Sequence, residues 1–270
     1  MSELTTTLDR DIVIEIGGVP VRVRTCDSAF LHLLEMRYTG FVNPRGCAEF
    51  EFDVDLKAPD DVGPDDDVRL FQRSGRWSLQ RGDFYAEWDS ASKSGNIQQS
   101  ANPYSIDSIL RIVHTLVLSR RGGFLVHAAS AVRNGKAFLF AGVSGAGKTT
   151  ISRLAPGNAT LLTDEISYVR ERDGAYFAFG TPFTGELAKV GDNICAPIAA
   201  LYLLAKGPNN QIEPVTCAEA GRALLANILF FAEDAELVKL VFESACKFVS
   251  RVPVYRLTFV PDTSVWEMIG

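Results

Sequence analysis

The run Gly142-Val143-Ser144-Gly145-Ala146-Gly147-Lys148-Thr149 constrains this chain more than any other feature, because it commits the backbone on both sides of it. It meets every fixed position of the phosphate-binding loop pattern G-x-x-x-x-G-K-[ST], which needs a strand leading in and a helix leading out. Both flanks agree. Residues 137–141 are an apolar, strand-like run, and 149–154 read as a helix that Pro156-Gly157 stops. Glycines let the backbone wrap closely and turn several N–H groups inward, and the helix start adds its positive end. In this pattern Lys148 would bridge the β- and γ-phosphates of a nucleotide and the Thr149 hydroxyl would bind Mg2+.

The loop begins about 140 residues into a chain of 270, and most of what precedes it is patterned as strand. Residues 12–16 and 19–23 alternate around Gly17-Gly18, a strong hairpin signal. Another alternating run, 49–56, comes before a loop, and 68–72, 77–80 and 84–88 form a meander. Arg81-Gly82-Asp83 sits at a turn of that meander and reads as turn chemistry rather than an adhesion motif. Residues 105–119 then place Ile106, Ile109, Leu110, Val113, Leu116 and Val117 at the spacing of one buried helix face, with His114 packed or on the surface. Segments 124–126 and 137–141 flank an Arg133-Asn134-Gly135-Lys136 turn and read as a hairpin feeding the glycine loop. Beyond it, 168–169, 176–179 and 199–204 are strand candidates, while 217–231 and 234–249 are helix candidates.

Charge excludes some classes of partner. The net charge is −6, which argues against a basic nucleic-acid surface or a polybasic membrane surface. Asp60, Asp61, Asp65, Asp66 and Asp67 crowd one stretch with Pro59, Gly63 and Pro64, and read as a solvated loop; without those five the net charge is −1. With 47% hydrophobic and 22% charged residues the chain can bury a sizeable core. No apolar run approaches the roughly 18 residues of a membrane span, and residues 1–11 lack signal-peptide character, so the expectation is a cytoplasmic protein. Cys26, Cys47, Cys195, Cys217 and Cys246 are scattered, odd in number and without C-x-x-C spacing, and read as reduced thiols.

Two further elements bear on chemistry. An apolar run at 159–162 ends in Thr163-Asp164-Glu165, sixteen and seventeen residues after Lys148 for the two acids. At the end of a strand beside a phosphate loop, a carboxylate can hold a metal or take a proton from an attacking hydroxyl. His127 lies fifteen residues before Gly142, at the end of an apolar strand.

Taken in order, His127, the loop 142–149 and Asp164-Glu165 resemble the HPr kinase/phosphorylase family, whose phosphate-loop fold is shared with the phosphoenolpyruvate carboxykinases. In that family a histidine on the preceding strand, a G-x-S-G-x-G-K-[ST] loop and an acidic pair ending the next short strand recur at similar spacing. The resemblance covers roughly residues 122–169, and more loosely the element order down to Val254-Tyr255-Arg256-Leu257. It departs at Asp164-Glu165, where the family usually has Asp-Asp. In place of the second family signature stands Gly180-Thr181-Pro182-Phe183-Thr184-Gly185-Glu186. That segment resembles HPr kinase-related proteins found near peptide-modifying genes, including kinases of lasso-peptide precursors. Glu186 faces the site or belongs to a merely structural loop; the sequence leaves both open.

The strand pattern gives a β-rich N-terminal part, 1–100, which the resemblance does not cover and which could serve substrate recognition; the resemblance implies that an HPr kinase/phosphoenolpyruvate carboxykinase-like P-loop catalytic core, 101–270, with C-terminal helices follows it, in an α/β (α+β) chain. It implies ATP and Mg2+ as cofactors, with Gly142, Val143, Ser144, Gly145, Ala146, Gly147, Lys148, Thr149 and Thr150 holding the nucleotide. Thr149, Asp164 and Glu165 would organise Mg2+, Asp164 would act as base, and His127 would lie near the transferred phosphate. The reaction implied is transfer of the γ-phosphoryl group to a Ser or Thr hydroxyl of a peptide or small protein, a natural-product precursor peptide among them, by an enzyme that, like its relatives, could form homo-oligomers. Two alternatives stand beside it. One is a nucleotide-binding adaptor that binds a peptide without modifying it, using Arg69, Arg73, Arg76 and Arg81 toward acidic ligands. The other is a small-molecule kinase, disfavoured because such chains normally begin with the phosphate loop.

Overall fold

The computed structural model describes residues 10–58 and 68–270, so the acidic run Asp60 to Asp67 lies outside the described residues. The chain is mixed α/β, with two sheets and few helices, and divides into two compact units, Met1–Ile112 and Val113–Gly270.

In the first unit the alternating sequence dictates the sheet. The hairpin β1 (Arg10–Ile16) and β2 (Val19–Thr25) turns at Gly17 and Gly18, both with positive φ. Every second residue of β2 is buried, so one face of the hairpin is core. Helix α1 (Ser28–Arg37) follows, its start capped by Asp27, whose carboxylate accepts the Phe30 N–H at 2.8 Å. β3 (Phe50–Leu56) lies parallel to β2; β4 (Arg69–Arg73), β5 (Arg76–Arg81) and β6 (Phe84–Asp89) form the expected meander; and β7 (Ser94–Gln99) inserts between β3 and β6. The order is β1-β2-β3-β7-β6-β5-β4. Two of these elements were not expected. α1 is short and its apolar residues make no pronounced stripe, and β7 carries a single buried aliphatic residue, Ile97. Gly95 of β7 is required by its neighbour: a Cβ there would stand 1.9 Å from the Glu87 carbonyl oxygen and 2.6 Å from Trp88. Arg81 and Asp83 pair within their turn, and Asp83 also accepts from the Ser105 hydroxyl at 2.7 Å, so Arg81 is committed locally rather than offered to a ligand.

Helix α2 (Pro103–Arg120) matches the predicted amphipathic segment, and the division between the units falls within it. Its Asp107 is buried and takes two donors, Arg37 Nη2 at 2.5 Å and Tyr38 Oη at 2.6 Å. Burial first, and the Asp107 charge second, raise the Tyr38 pKa well above its ordinary value, so the phenol stays a donor.

The second unit is built on β8 (Gly123–Arg133) and β9 (Lys136–Ala141), an antiparallel hairpin turning at Asn134-Gly135. After α3 (Lys148–Arg153) come β10 (Ala159–Thr163), β11 (Ile166–Arg172) and β12 (Ala175–Phe179). The long β13 (Cys195–Lys206) lies parallel to β9 on one edge and parallel to β16 (Val254–Phe259) on the other, with β14 (Gln211–Pro214) outermost. α4 (Cys217–Leu225), the short β15 (Ile228–Leu229) and α5 (Ala235–Arg251) complete the regular elements, and a 3-10 turn, Thr263–Glu267, follows β16. The helix expected over 217–231 stops at Leu225; Asn227 leads into β15, which pairs with β8. β8 runs six residues past His127, so this histidine sits inside the strand and not at its end.

β9 is buried on both faces, which is why it reads as a continuous apolar run. Ala137, Leu139 and Ala141 face a core completed by Leu224, Ala245 and Phe248 of α4 and α5. Phe138 and Phe140 face a second core with Ile151, Phe259 and Trp266. Among the described residues no helix is long and apolar enough to cross a membrane.

Asp107→Ala would strand Arg37 and Tyr38 without their shared acceptor. We expect a loss of roughly 3–5 kcal/mol in urea unfolding, against about 1 kcal/mol for Tyr38→Phe, which removes one bond and leaves the ion pair.

Candidate functional site

Strand register brings the three sequence signals together. β10 and β11 both run antiparallel to the same edge of β8: Thr163 pairs with Ser130 and Ile166 with His127. They amount to one long strand interrupted at Asp164 and Glu165, opposite Ala128 and Ala129. Irregularities of this kind re-aim side chains and recur beside active sites. On the other edge of β8, Ala128 pairs with Ala141, so Gly142 begins in the row next to His127. The glycine loop, the acidic interruption and the histidine therefore occupy adjacent rows midway along β8, where β9 and β10 end.

The loop itself depends on its glycines. Gly145 and Gly147 have φ of 74° and 112°, in the left-handed region. A Cβ on Gly147 would also come within 2.7 Å of the Phe259 ring. Ala146 N–H closes a turn onto the Val143 carbonyl at 3.0 Å, while Val143 is 77% exposed at the tip. α3 has only six residues, so whatever the loop can offer an anion comes from local N–H groups more than from a long helix; its first N–H groups have no intrahelical acceptor. Thr149 and Thr150 are half-buried on that first turn.

Lys148 is buried, and its ammonium donates to the Gly142 carbonyl at 2.8 Å and to Val143 at 3.4 Å. Burial lowers its pKa below the ordinary lysine value, and the charges of Glu165 and Glu186 oppose that shift. Glu186 is thus part of the electrostatic surroundings of Lys148.

Asp164 is buried, and both of its carboxylate oxygens are engaged: Oδ1 accepts Gly185 N–H and Oδ2 accepts Leu187 N–H, each at 2.9 Å. Thr163 Oγ1 donates to the Phe183 carbonyl at 3.3 Å and accepts the N–H groups of Glu165 and Ile166. Segment 180–194 is stitched to β10 as well, through Thr181 N–H to Leu162 O and Asp192 N–H to Leu161 O. Gly191 permits that approach, since a Cβ would stand 1.7 Å from the Leu162 carbonyl oxygen. His127 is half-buried, and its backbone N–H donates to the Asn227 carbonyl at 2.7 Å.

Among the described residues no three His, Cys, Asp or Glu side chains converge as a metal site. Mg2+ commonly uses one or two carboxylates and takes its remaining ligands from phosphate and water. The oxygens at hand are the Thr149 hydroxyl and the carboxylates of Asp164 and Glu165, each Asp164 oxygen keeping a lone pair beyond its N–H bond.

Residues 96–270 match the family model described as SynChlorMet cassette protein ScmC. No curated protein matches the chain. Among solved structures, the HPr(Ser) kinase/phosphatase from Coxiella burnetii aligns over 54% of this chain and 85% of that one, at 12% identity and a TM-score of 0.29, a value at which backbone likeness decides nothing.

The charge environment of Lys148 can be read directly. Glu165→Gln and Glu186→Gln should each lower its pKa further, because each removes a negative charge that favours the ammonium. NMR titration of labelled lysine side chains checks this, and an unmoved Lys148 in either variant would remove that glutamate from the site.

Proposed function

The chain belongs to the SynChlorMet cassette protein ScmC family, and for it we propose Mg-ATP-dependent transfer of the γ-phosphoryl group to a Ser or Thr hydroxyl of a peptide or small protein. The observation that carries this reading is the register of β8. It sets a lysine-bearing glycine loop, a carboxylate pair and a histidine in neighbouring rows without any of them being adjacent in sequence. Phosphoryl transfer asks for positioning and charge neutralisation more than for covalent chemistry by the protein, so this inventory is sufficient.

In this reading residues 142–150 hold the triphosphate. Lys148 leaves its loop carbonyls for phosphate oxygens, an exchange of neutral acceptors for anionic ones that strengthens its hydrogen bonds. Thr149, Asp164 and Glu165 would hold Mg2+, which would supply positive charge against the developing negative charge of the transfer. His127 lies at the row where the transferred group would pass, and can donate to it. A carboxylate at the site takes the proton of the acceptor hydroxyl.

A peptide acceptor is favoured over a small molecule because a sheet of seven strands among the described residues precedes the loop, with Arg69, Arg73 and Arg76 exposed at or beside its β4 edge. Cys26, Cys47, Cys195, Cys217 and Cys246 are all exposed and free, which suits a reducing compartment where Mg-ATP is abundant.

The test is incubation of purified protein with labelled ATP, Mg2+ and peptides encoded beside its gene, with mass spectrometry to locate phosphate. Lys148→Ala should reduce transfer at least about a hundredfold while circular dichroism shows a folded protein. ATP bound without turnover across those peptides would favour the adaptor reading instead.

A further inference from the structure

We infer that Asp164 is a positioning residue and that Glu186 is the carboxylate which takes the proton of the acceptor hydroxyl. The inference rests on the kinase reading above and moves to Glu186 the role of base that the family resemblance implies for Asp164.

The argument begins with what Asp164 is already doing. Its two oxygens accept the N–H groups of Gly185 and Leu187, the residues on either side of Glu186. Each oxygen keeps one further lone pair, which the reading above gives to Mg2+ and not to a hydroxyl arriving from outside, and Asp164 is buried besides. The same two bonds fix the backbone of residues 185–187 and so set where the Glu186 side chain leaves the chain. Gly185 is the cost of this closeness: a Cβ there would lie 2.9 Å from Asp164 Oδ2 and 2.9 Å from Glu165 Cβ.

Glu186, by contrast, is exposed, so a hydroxyl on a bulky peptide can reach it. It is also near enough to Lys148 for its charge to be felt there. Phe183 and Thr181 anchor the preceding residues of the segment, through the Phe183 carbonyl to Thr163 and the Thr181 hydroxyl to the Ile166 carbonyl. An exposed carboxylate on a backbone pinned at several points combines access with a defined position, which proton transfer requires.

The step balances. The acceptor O–H proton passes to the Glu186 carboxylate, the freed oxygen lone pair forms the new bond to the γ-phosphorus of ATP, and the bond from that phosphorus to the β,γ-bridging oxygen breaks. ADP leaves with the bonding pair, and the proton on Glu186 returns to solvent.

The experiment uses the full chain, with the peptides encoded beside its gene and water as probe acceptors and Mg-ATP turnover as the rate. Glu186→Gln, an exposed substitution that leaves the fold in place, should lower turnover about a hundredfold while calorimetry shows ATP affinity without Mg2+ within threefold of native. Glu186→Asp should recover part of the rate. Asp164→Asn keeps one acceptor and opposes the other N–H with its own amide. It should speed amide hydrogen exchange at Gly185 and Leu187 at least tenfold, a readout that needs no activity. Glu186→Gln turning over Mg-ATP within threefold of an active native protein would overturn the assignment of the base, and unchanged exchange in Asp164→Asn would overturn the positioning role. A native protein that binds ATP and turns it over neither with water nor with those peptides would sink the kinase reading, and the role of Glu186 with it, while the exchange result would still decide what Asp164 does.

Discussion

Strand β8 is hydrogen-bonded along both edges and buried on both faces, so its register cannot slip by one residue without exchanging Ala128 and Ala129 between two separate cores. Small residues at these two positions let the neighbouring rows approach closely. On one edge lie β10 and β11, and on the other β9 and β15. Pairings continue from β9 to β13, from β13 to β12 and from β12 to β11, which closes a circuit back to β8. A circuit fixes relative positions more firmly than an open ladder, because moving any one strand disturbs two neighbours.

That rigidity explains how irregular backbone can be tolerated at the site. The loop 142–147 and the interruption at 164–165 both leave the regular ladder, and each is bounded by strands with no freedom to follow. The segment 180–194 adds a third irregular stretch, held by side chains and carbonyls of β10 instead of by strand pairing. Its contacts converge on Thr163 and Asp164, so the acidic interruption is as much a mooring for this segment as an element of the site itself.

The parts of this arrangement that were legible in the sequence are those with a strong local rule. Alternation around Gly17-Gly18 marked β1 and β2, the glycine-lysine loop marked the turn after β9, and the spacing from Ile106 to Val117 marked α2. The hidden parts depend on distant partners. β7 is a strand because Gly95 fits against Trp88 and Ile97 fills the core, not because Ser-Gly-Asn-Ile-Gln-Gln has strand character. α1 had one usable signal, Asp27 placed to cap Phe30, but too few turns to show a period. His127 looked like a strand end because small residues follow it, and Ala128, Ala129 and Ala131 are small for packing reasons. The engagement of Asp164 by residues 185 and 187 spans more than twenty positions, and nothing local announces it.

Trp266 donates its indole N–H to the Ile151 carbonyl at 3.0 Å and packs edge-on to Phe140, while Arg133 donates to the carbonyls of Trp266 and Ile269. The helix that carries Lys148 therefore rests on residues synthesised 115 positions later. Closing so long a loop is entropically slow compared with forming the hairpin beneath it. On the ribosome, the glycine loop would emerge and wait, without its floor, until nearly everything after it had followed. Nascent chains of this protein would pass through a stage in which most of the sheet can form but the glycine loop at the end of β9 is not yet braced.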